Sequence, residues 1–368
     1  MTETAPLLVI AAGGTGGHMF PAQALSEAML ARGWRVRLNT DARGARYAGG
    51  FPDEVERRVT SSATFAQGSA LTRITAPFAI AAGAASSLAA MRRDRPACVA
   101  GFGGYPALPA MIAATFLKLP TLIHEQNGVL GRVNRAFAKR VDVVACGIWP
   151  TELPDGAHHV HTGNPVRSAI QGRAGTVYPP PGDHPMGLLV IGGSQGAGLF
   201  ARVVQDALAL LDQDLRARLA LSQQVRPEDM ERVRDACAAL GMDADLKGFF
   251  DDVPERLASA TLVISRAGAS SVADITAIGR PAILIPYARA ADDHQAANAR
   301  GLVDAGGAFM IREDELTPEV LARHITAILS DPEGAEAMAR ASHAQGVPDA
   351  TDRLADLVEQ LAQRGAET

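Results

Sequence analysis

The amino-acid sequence predicts an α/β protein of two similar domains, each built on a parallel β-sheet that is covered by helices on both faces. One supporting observation is the alternation of short apolar segments of strand length with longer segments of helical periodicity, which is typical of right-handed βαβ units. A second is that a strand followed by a glycine-rich turn and a helix occurs twice, at residues 7–33 and 187–211. We therefore expect two α/β domains whose loops face each other across a cleft.

The first domain is predicted to span residues 1–163. Its expected strands lie at residues 7–10, 35–39, 98–101, 121–124 and 141–146, with helical segments between them. Glycine or polar residues follow three of these strands, at 13–18, 101–105 and 124–127. Because ligands bind beyond the carboxyl ends of parallel strands, these three loops are predicted to form a site.

The first of these loops, residues 13–18, joins a strand to a helix that Pro21 is expected to open and Gly33 to cap. A glycine-rich turn at a helix N-terminus presents backbone N–H groups and a partial positive charge to an anion. The loop is therefore predicted to bind a phosphate-type group. His18 is the last residue of the loop. Three roles are open for it: a general base, a donor to phosphate oxygens, or a helix-start residue that is hydrogen-bonded to nearby backbone.

The second domain is predicted to span residues 164–345, after a turn-rich boundary that includes three consecutive prolines at 179–181. Its expected strands lie at residues 187–191, 219–223, 246–250, 262–265 and 282–286, and its first helix at 199–211. A last amphipathic helix, within residues 351–364, is expected to pack back on one of the two domains, with the first as the named candidate.

The composition fits a folded protein of a reducing compartment. The chain has 368 residues, of which 47% are hydrophobic and 20% charged, and its net charge of −5 argues against nucleic-acid binding. Cys98, Cys146 and Cys237 lack paired spacing and are expected to be buried thiols. The acidic N-terminus lacks a secretory signal, and the longest apolar run, residues 76–90, is too short and too weakly hydrophobic to span a bilayer.

Neither glycine-rich turn carries a complete dinucleotide fingerprint, which disfavours a dehydrogenase. In the first turn the third glycine position is Met19. In the second, residues 196–198 lie several positions beyond the strand, and the next expected strand ends in Gln223. A Gly-Lys-Ser/Thr sequence follows neither turn, so the Walker pattern is also absent.

Three polar features remain in the second half. Arg266 follows an expected strand and precedes a helix that carries Asp274, a pairing suited to phosphate and ribose hydroxyls. Gln295 and Asn298 share a helix face and suit hydroxyl recognition. The pair at residues 292–293 is read as the acidic first turn of that helix in preference to a metal site. Residues 158–161 are read as a solvated loop.

Seven motifs in chain order resemble the MurG family of N-acetylglucosaminyltransferases of peptidoglycan synthesis. They are GGTGGH at 13–18, GFGGYPALPA at 101–110, HEQN at 124–127, GNPVR at 163–167, GGSQGA at 192–197, SRAGASSVADI at 265–275, and the pair Gln295 and Asn298. The resemblance covers nearly the whole chain. It implies a GT-B fold, in which two Rossmann-like domains face each other across the active-site cleft.

The resemblance also implies an inverting transfer of GlcNAc from UDP-GlcNAc to a lipid-linked muramoyl-pentapeptide at the cytoplasmic face of the bacterial membrane. No metal motif stands out in the sequence, so neither a metal nor another cofactor is expected. The implied catalytic residues are His18 and Glu125, either of which is a candidate base. The implied substrate contacts are Thr15, Gly16, Gly17, Tyr105, Asn127, Arg167, Ser194, Phe250, Arg266, Asp274, Gln295 and Asn298. Two other functions stay open: another GT-B enzyme using UDP-GlcNAc, such as a 2-epimerase or a glycolipid synthase, and a non-catalytic UDP-sugar-binding protein.

The chain departs from the family pattern at three places. Asp274 stands where glutamate is usual, and His294 where a second glutamine is common. The membrane-facing patch is thin. Its candidates are Phe78, Ile80 and Leu88 with the flanking Arg73, Arg92 and Arg93, and residues 116–118. Apolar side chains beside basic residues predict reversible binding to a membrane surface.

Overall fold

A computed structural model describes residues 5–13, 16–42, 44–46, 48–59, 70–192 and 198–367. The chain divides into two compact units, which are treated separately below. Unit 1 comprises Met1–Arg167 together with Asp349–Thr368, and unit 2 comprises Ser168–Pro348.

Unit 1 is built on a seven-stranded sheet in which all the paired strands are parallel. The strands are β1 (Leu7–Ala11), β2 (Arg35–Thr40), β3 (Glu56–Val59), β4 (Cys98–Gly101), β5 (Thr121–Glu125), β6 (Val143–Cys146) and β7 (His159–His161). Their order is β3-β2-β1-β4-β5-β6-β7. The helices before the unit boundary are α1 (Gly16–Ala31), α2 (Ala70–Arg93), α3 (Leu108–Phe116) and α4 (Arg132–Phe137).

Both faces of this sheet are covered. In β1, Leu8 and Ile10 belong to a core shared with α1, whereas Leu7 and Val9 belong to a second core shared with α3. All five residues of β1 are buried, as expected for a parallel strand between two helical layers. The site loops at the carboxyl ends of β1, β4 and β5 therefore follow strands that are buried along their whole length.

Unit 2 contains a six-stranded sheet of the same kind. Its strands are β8 (Met186–Ile191), β9 (Leu219–Gln224), β10 (Ala244–Lys247), β11 (Ala260–Ser265), β12 (Ala282–Leu284) and β13 (Ala308–Met310), in the order β10-β9-β8-β11-β12-β13. Its helices are α5 (Ser168–Gln171), α6 (Phe200–Ala209), α7 (Gln213–Ala217), α8 (Met230–Ala239), α9 (Val253–Ser259), α10 (Ala269–Ile278), α11 (His294–Asp304), α12 (Pro318–Leu329) and α13 (Pro332–Ala344).

The last helix, α14 (Ala350–Glu367), follows unit 2 in sequence but belongs to unit 1. Leu354 and Val358 are fully buried in the core that α1 also lines. Arg32, at the end of α1, donates to Asp356 at 2.6 Å and to Glu359 at 2.9 Å. The helix is therefore an integral layer of unit 1, held by both apolar burial and ion pairs.

Several predicted elements differ from those observed. Helix α1 begins at Gly16, so Pro21 lies inside it and lacks the N–H that would donate to the Gly17 carbonyl. The strand expected at residues 246–250 lies instead at Ala244–Lys247. Residues 158–161, expected as a solvated loop, include edge strand β7, and the Trp149 ring stacks on His159 at 5.4 Å.

The three cysteines are buried free thiols, as expected. Among the residues that the structure describes, no helix is both long and apolar enough to cross a membrane.

Candidate active site

The site loops of unit 1 lie at the carboxyl ends of three strands that are adjacent in the sheet. Gly16 and Gly17 open α1 after β1, and Tyr105 follows β4 in a short helical turn, half-buried. Asn127 follows β5. Thr15 lies outside the described residues. The sheet order β1-β4-β5 brings together loops that are up to about a hundred residues apart in sequence.

The imidazole of His18 lies against the glycine pair that follows β4. Gly103 and Gly104 have φ angles of +86° and +72°, a backbone region that side-chain-bearing residues rarely adopt. A Cβ placed on Gly103 would lie 3.4 Å from His18 Nε2 and 3.2 Å from Asn134 Nδ2. The turn conformation therefore favours glycine at position 103, where an added Cβ would touch His18 and crowd Asn134.

The pKa of His18 is lowered from its usual 6.5. The cause is burial of the ring, which outweighs the opposing effects of the Glu125 charge and a hydrogen bond to the Gly13 backbone. His18 is consequently neutral at pH 7, the protonation state that a general base needs.

Glu125 is buried and its carboxylate is surrounded by donors. Oε1 accepts from the backbone N of Asn127 at 3.0 Å and from its Nδ2 at 3.2 Å, while Oε2 accepts from Gly131 N and Asn134 Nδ2, both at 2.9 Å. Four bonds occupy the lone-pair positions of a carboxylate. This geometry favours a role in holding the loop between β5 and α4 over a role as proton acceptor.

The GNPVR and HEQN motifs form one buried network in unit 1. Asn164 Nδ2 donates to the carbonyl of Gln126 at 2.9 Å, and Gln126 Nε2 lies 3.3 Å from His124 Nδ1. Since that nitrogen accepts, His124 Nε2 carries the proton toward the Gly163 carbonyl at 3.3 Å. Burial lowers the pKa of His124 to about 4. His124 and Asn164 were recognised from the sequence only as members of these motifs, and Asn134 was missed; the hydrogen bonds of all three hold the site loops in place.

In unit 2, Arg266 follows β11, and its guanidinium is hydrogen-bonded through Nη1. Its Nη1 donates to Glu313 Oε1 at 2.5 Å and to the Ile285 carbonyl at 3.2 Å. The guanidinium carbon lies 5.3 Å from the centre of the Phe200 ring and 5.4 Å from that of Tyr287. Sequence reasoning missed Glu313, because its pairing with Arg266 depends on the order of the strands.

Phe250 lies in a loop after β10 and is buried beneath an arginine. The Arg256 guanidinium is 4.0 Å from the centre of the Phe250 ring and donates to Asp245, Asp252 and Ser222. Phe250, predicted as the last residue of a strand, therefore lies beyond the end of β10 and packs against the Arg256 guanidinium.

The same loop is tied to the second glycine-rich turn. Gln224 at the end of β9 accepts from Gly192 N at 3.2 Å and donates to the Gly248 carbonyl at 3.0 Å. Ser194 in that turn lies outside the described residues. Arg167 is an exposed residue at the end of the first segment of unit 1.

The polar residues of α10 and α11 have different surroundings. Asp274 is half-buried on α10. Gln295 Oε1 accepts from Tyr287 N at 2.9 Å, and Asn298, only 1% exposed, donates to the Ala267 carbonyl at 3.0 Å. Asn298 thus holds the loop that carries Arg266. The sequence predicts only a contact to a substrate hydroxyl for this side chain.

The aspartate pair at 292–293 does not form the first turn of α11, contrary to the prediction. That helix begins at His294, and Asp292 and Asp293 precede it with φ angles of +52° and +51°. Asp293 instead pairs with Arg312 at 2.8 Å. Within the described ranges, no group of three His, Cys, Asp or Glu side chains is arranged to hold a metal ion.

Solved structures with the same architecture include glycosyltransferases. MurG of Acinetobacter baumannii has a TM-score of 0.80 and 29% identity, with 96% of this chain and 99% of that chain covered. A kitacinnamycin glycotransferase, with a TM-score of 0.66 and 19% identity over 97% of this chain and 99% of its own, shares the fold. The two parallel-sheet units and these likenesses define a glycosyltransferase of the GT-B class, which confirms the predicted fold.

The chain belongs to glycosyltransferase family 28. The models of the N-terminal and C-terminal domains of that family match residues 8–146 and 187–354. A relative from Rhizobium johnstonii is 48% identical over 97% of this chain and 96% of its own, and one from Brucella anthropi is 46% identical over 97% and 95%. Both are named UDP-N-acetylglucosamine–N-acetylmuramyl-(pentapeptide) pyrophosphoryl-undecaprenol N-acetylglucosamine transferase.

Proposed function

We propose that this glycosyltransferase moves GlcNAc from UDP-GlcNAc to the 4-hydroxyl of undecaprenyl-diphospho-MurNAc-pentapeptide, with inversion at the anomeric carbon. The observation that carries the proposal is the near-full-length identity of 46–48% with relatives that bear this transferase name. The product is a peptidoglycan precursor, so loss of the enzyme is expected to impair cell-wall growth, cell shape and division.

In the proposed reaction, His18 takes the proton of the acceptor hydroxyl. The hydroxyl oxygen bonds to the anomeric carbon of GlcNAc, and the bond between that carbon and UDP breaks. The lowered pKa of His18 supports this role, because the ring is neutral at neutral pH. The saturated hydrogen bonding of Glu125 makes it the weaker candidate. Glu125 instead positions Asn127, the proposed contact to the acceptor.

Charge on the departing UDP is stabilised by Arg266 and by backbone N–H groups, an electrostatic arrangement set up before the reaction begins. Asp274 and Gln295 contact the donor's ribose and sugar hydroxyls. We propose that no metal ion takes part. Turnover in an excess of EDTA should therefore equal turnover in magnesium, and loss of activity that returns with a divalent cation would contradict this.

The decisive experiment supplies purified protein with UDP-GlcNAc and each candidate acceptor in turn. UDP should be released only when the lipid-diphosphate muramoyl acceptor is present, with GlcNAc on the lipid product. Transfer to a diacylglycerol would identify a glycolipid synthase, and isomerisation of UDP-GlcNAc without an acceptor would identify a 2-epimerase. Binding without turnover would identify a sugar-nucleotide sensor.

We further propose that unit 1 contacts the cytoplasmic membrane surface reversibly. Phe78 on α2 is 76% exposed and Phe116 at the end of α3 is 68% exposed, and these two helices pack on one another. The basic residues Arg92, Arg93 and Lys118 are exposed on or beside the same helices. Apolar and basic side chains together favour an anionic lipid surface.

Vesicle sedimentation tests this contact. The variant Phe78→Ser/Phe116→Ser should lose binding to vesicles that contain anionic lipid, and neutral vesicles should bind the wild type weakly. Leu210→Ser is the matched control, since Leu210 is 54% exposed but lies on unit 2. Equal loss in the control and the double variant would place the contact elsewhere.

A further inference from the structure

Glu313 lies where the carboxyl ends of three adjacent strands of unit 2 meet. Arg266 follows β11, Ile285 and Tyr287 follow β12, and Glu313 follows β13. Glu313 Oε1 accepts from Arg266 Nη1 at 2.5 Å and from Ala288 N at 3.1 Å. One carboxylate oxygen thus joins all three strand ends.

The contacts of Arg266 leave half of its guanidinium for a ligand. Its hydrogen bonds to Glu313, to the Ile285 carbonyl at 3.2 Å and to the Pro286 carbonyl at 3.4 Å all use Nη1. In the parts of the chain that the structure describes, Nε and Nη2 make no such bond. A guanidinium presents Nε and one Nη as a planar fork that binds phosphate through two parallel hydrogen bonds.

The negative charge of Glu313 offsets the free-energy cost of holding the Arg266 guanidinium away from water. The side chain of Arg266 is 11% exposed and that of Glu313 is 24% exposed. A cation so far removed from water is costly without a partner, and removal of the partner leaves it free to seek other acceptors. Neither Phe200 nor Tyr287, whose rings flank the guanidinium, fixes which nitrogen faces outward.

We propose that Glu313 is a positioning residue for the transfer reaction, which holds Arg266 by Nη1 so that Nε and Nη2 bind the diphosphate of the sugar nucleotide. This rests on the proposed function only in the assignment of Arg266 to the donor. Glu313 acts through Arg266 and makes no contact with the substrate.

The test measures UDP affinity by calorimetry, together with kcat and KM, for Glu313→Ala, Glu313→Gln, Arg266→Ala and the double variant. Glu313→Ala should weaken UDP binding about 10- to 100-fold and raise the KM for UDP-GlcNAc, with the KM for the lipid acceptor unchanged. Glu313→Gln keeps an oxygen acceptor for Arg266 and Ala288 but loses the charge, so its UDP affinity should lie between those of the wild type and Glu313→Ala. The double variant should bind UDP no more weakly than Arg266→Ala alone.

The control is Glu255→Ala, which breaks another Glu–Arg pair of unit 2, with Arg173, and should leave all constants unchanged. Unchanged or tighter UDP binding by Glu313→Ala, or multiplicative effects in the double variant, would overturn the proposal. If the wild type binds UDP but transfers nothing to the lipid acceptor, the proposed function fails. The UDP affinities of the single and double variants still decide the role of Glu313 in that case.

Discussion

The carboxylate of Glu125 and the side-chain amide of Asn134 are joined by a hydrogen bond of 2.9 Å, although one residue ends a strand and the other lies in the following helix. The same amide nitrogen donates to the His124 carbonyl at 3.2 Å. Asn134 thereby closes the loop that carries Asn127. Glu125 therefore has a structural role, as the acceptor that holds this loop, besides being a member of the candidate active site.

Asn134→Ala should destabilise unit 1 by about 1.5–3 kcal/mol, because it removes a donor from a buried carboxylate. Both tryptophans of the chain, Trp34 and Trp149, lie in unit 1, so urea unfolding followed by tryptophan fluorescence reports on that unit. The control is Gln23→Ala, whose exposed amide donates to Glu27 at 2.8 Å and should matter little. Equal stability of Asn134→Ala and wild type would refute the account of Glu125.

His18→Asn should lower kcat by roughly 10²- to 10⁴-fold, the usual contribution of a general base. Because burial lowers the pKa of His18, the wild-type rate should be level near pH 7 and fall on an acid limb whose midpoint lies below 6.5. Initial rates measured from pH 4.5 to about 8 check this. Glu125→Gln should be slower but keep the limb; its disappearance in that variant would make Glu125 the base.

Gly103→Ala should cost about 1–2 kcal/mol of stability, through its left-handed backbone, and about tenfold in kcat, because the added Cβ would lie 3.2 Å from Asn134 Nδ2, which must then shift within the site. Gly33→Ala separates the two effects. Gly33 has a φ of +81°, and among described atoms none lies within 4 Å of a Cβ placed there. The control should lose stability alone. Full activity in Gly103→Ala would show that the site tolerates a shift of Asn134.

His124 should make unit 1 less stable in acid. Its pKa is about 4 in the folded chain against about 6.5 when unfolded, so between these values the unfolded state binds more protons. Stability is therefore complete above pH 6.5 and falls by roughly 3 kcal/mol as the pH drops to 4. His124→Gln should flatten this dependence in urea unfolding, whereas His158→Gln, at an exposed histidine, should not.

The strand–turn–helix unit at the start of each half could be predicted from the sequence because its signals are local. Apolar runs predict the buried strand β1, and the glycines that follow the strands predict the positions of His18 and Arg266. The partners of these residues could not be predicted, because they depend on which strands are neighbours. Glu313 meets Arg266 only through the order β11-β12-β13, and Gly103 meets His18 only because β1 lies beside β4. Pro21 and Phe250 were misplaced, since a helix start and an edge-strand register have weak local signals.

The return of α14 to unit 1 has a consequence for synthesis on the ribosome. Leu354, Ala355, Val358 and Leu361 complete a core whose other buried members lie in the first half of the chain, so unit 1 cannot close until α14 has been synthesised. All of unit 2, Ser168–Pro348, emerges earlier. The half that begins second is therefore the first that can reach its native state, and the nascent first half must wait with an apolar face uncovered, as a candidate client for chaperones.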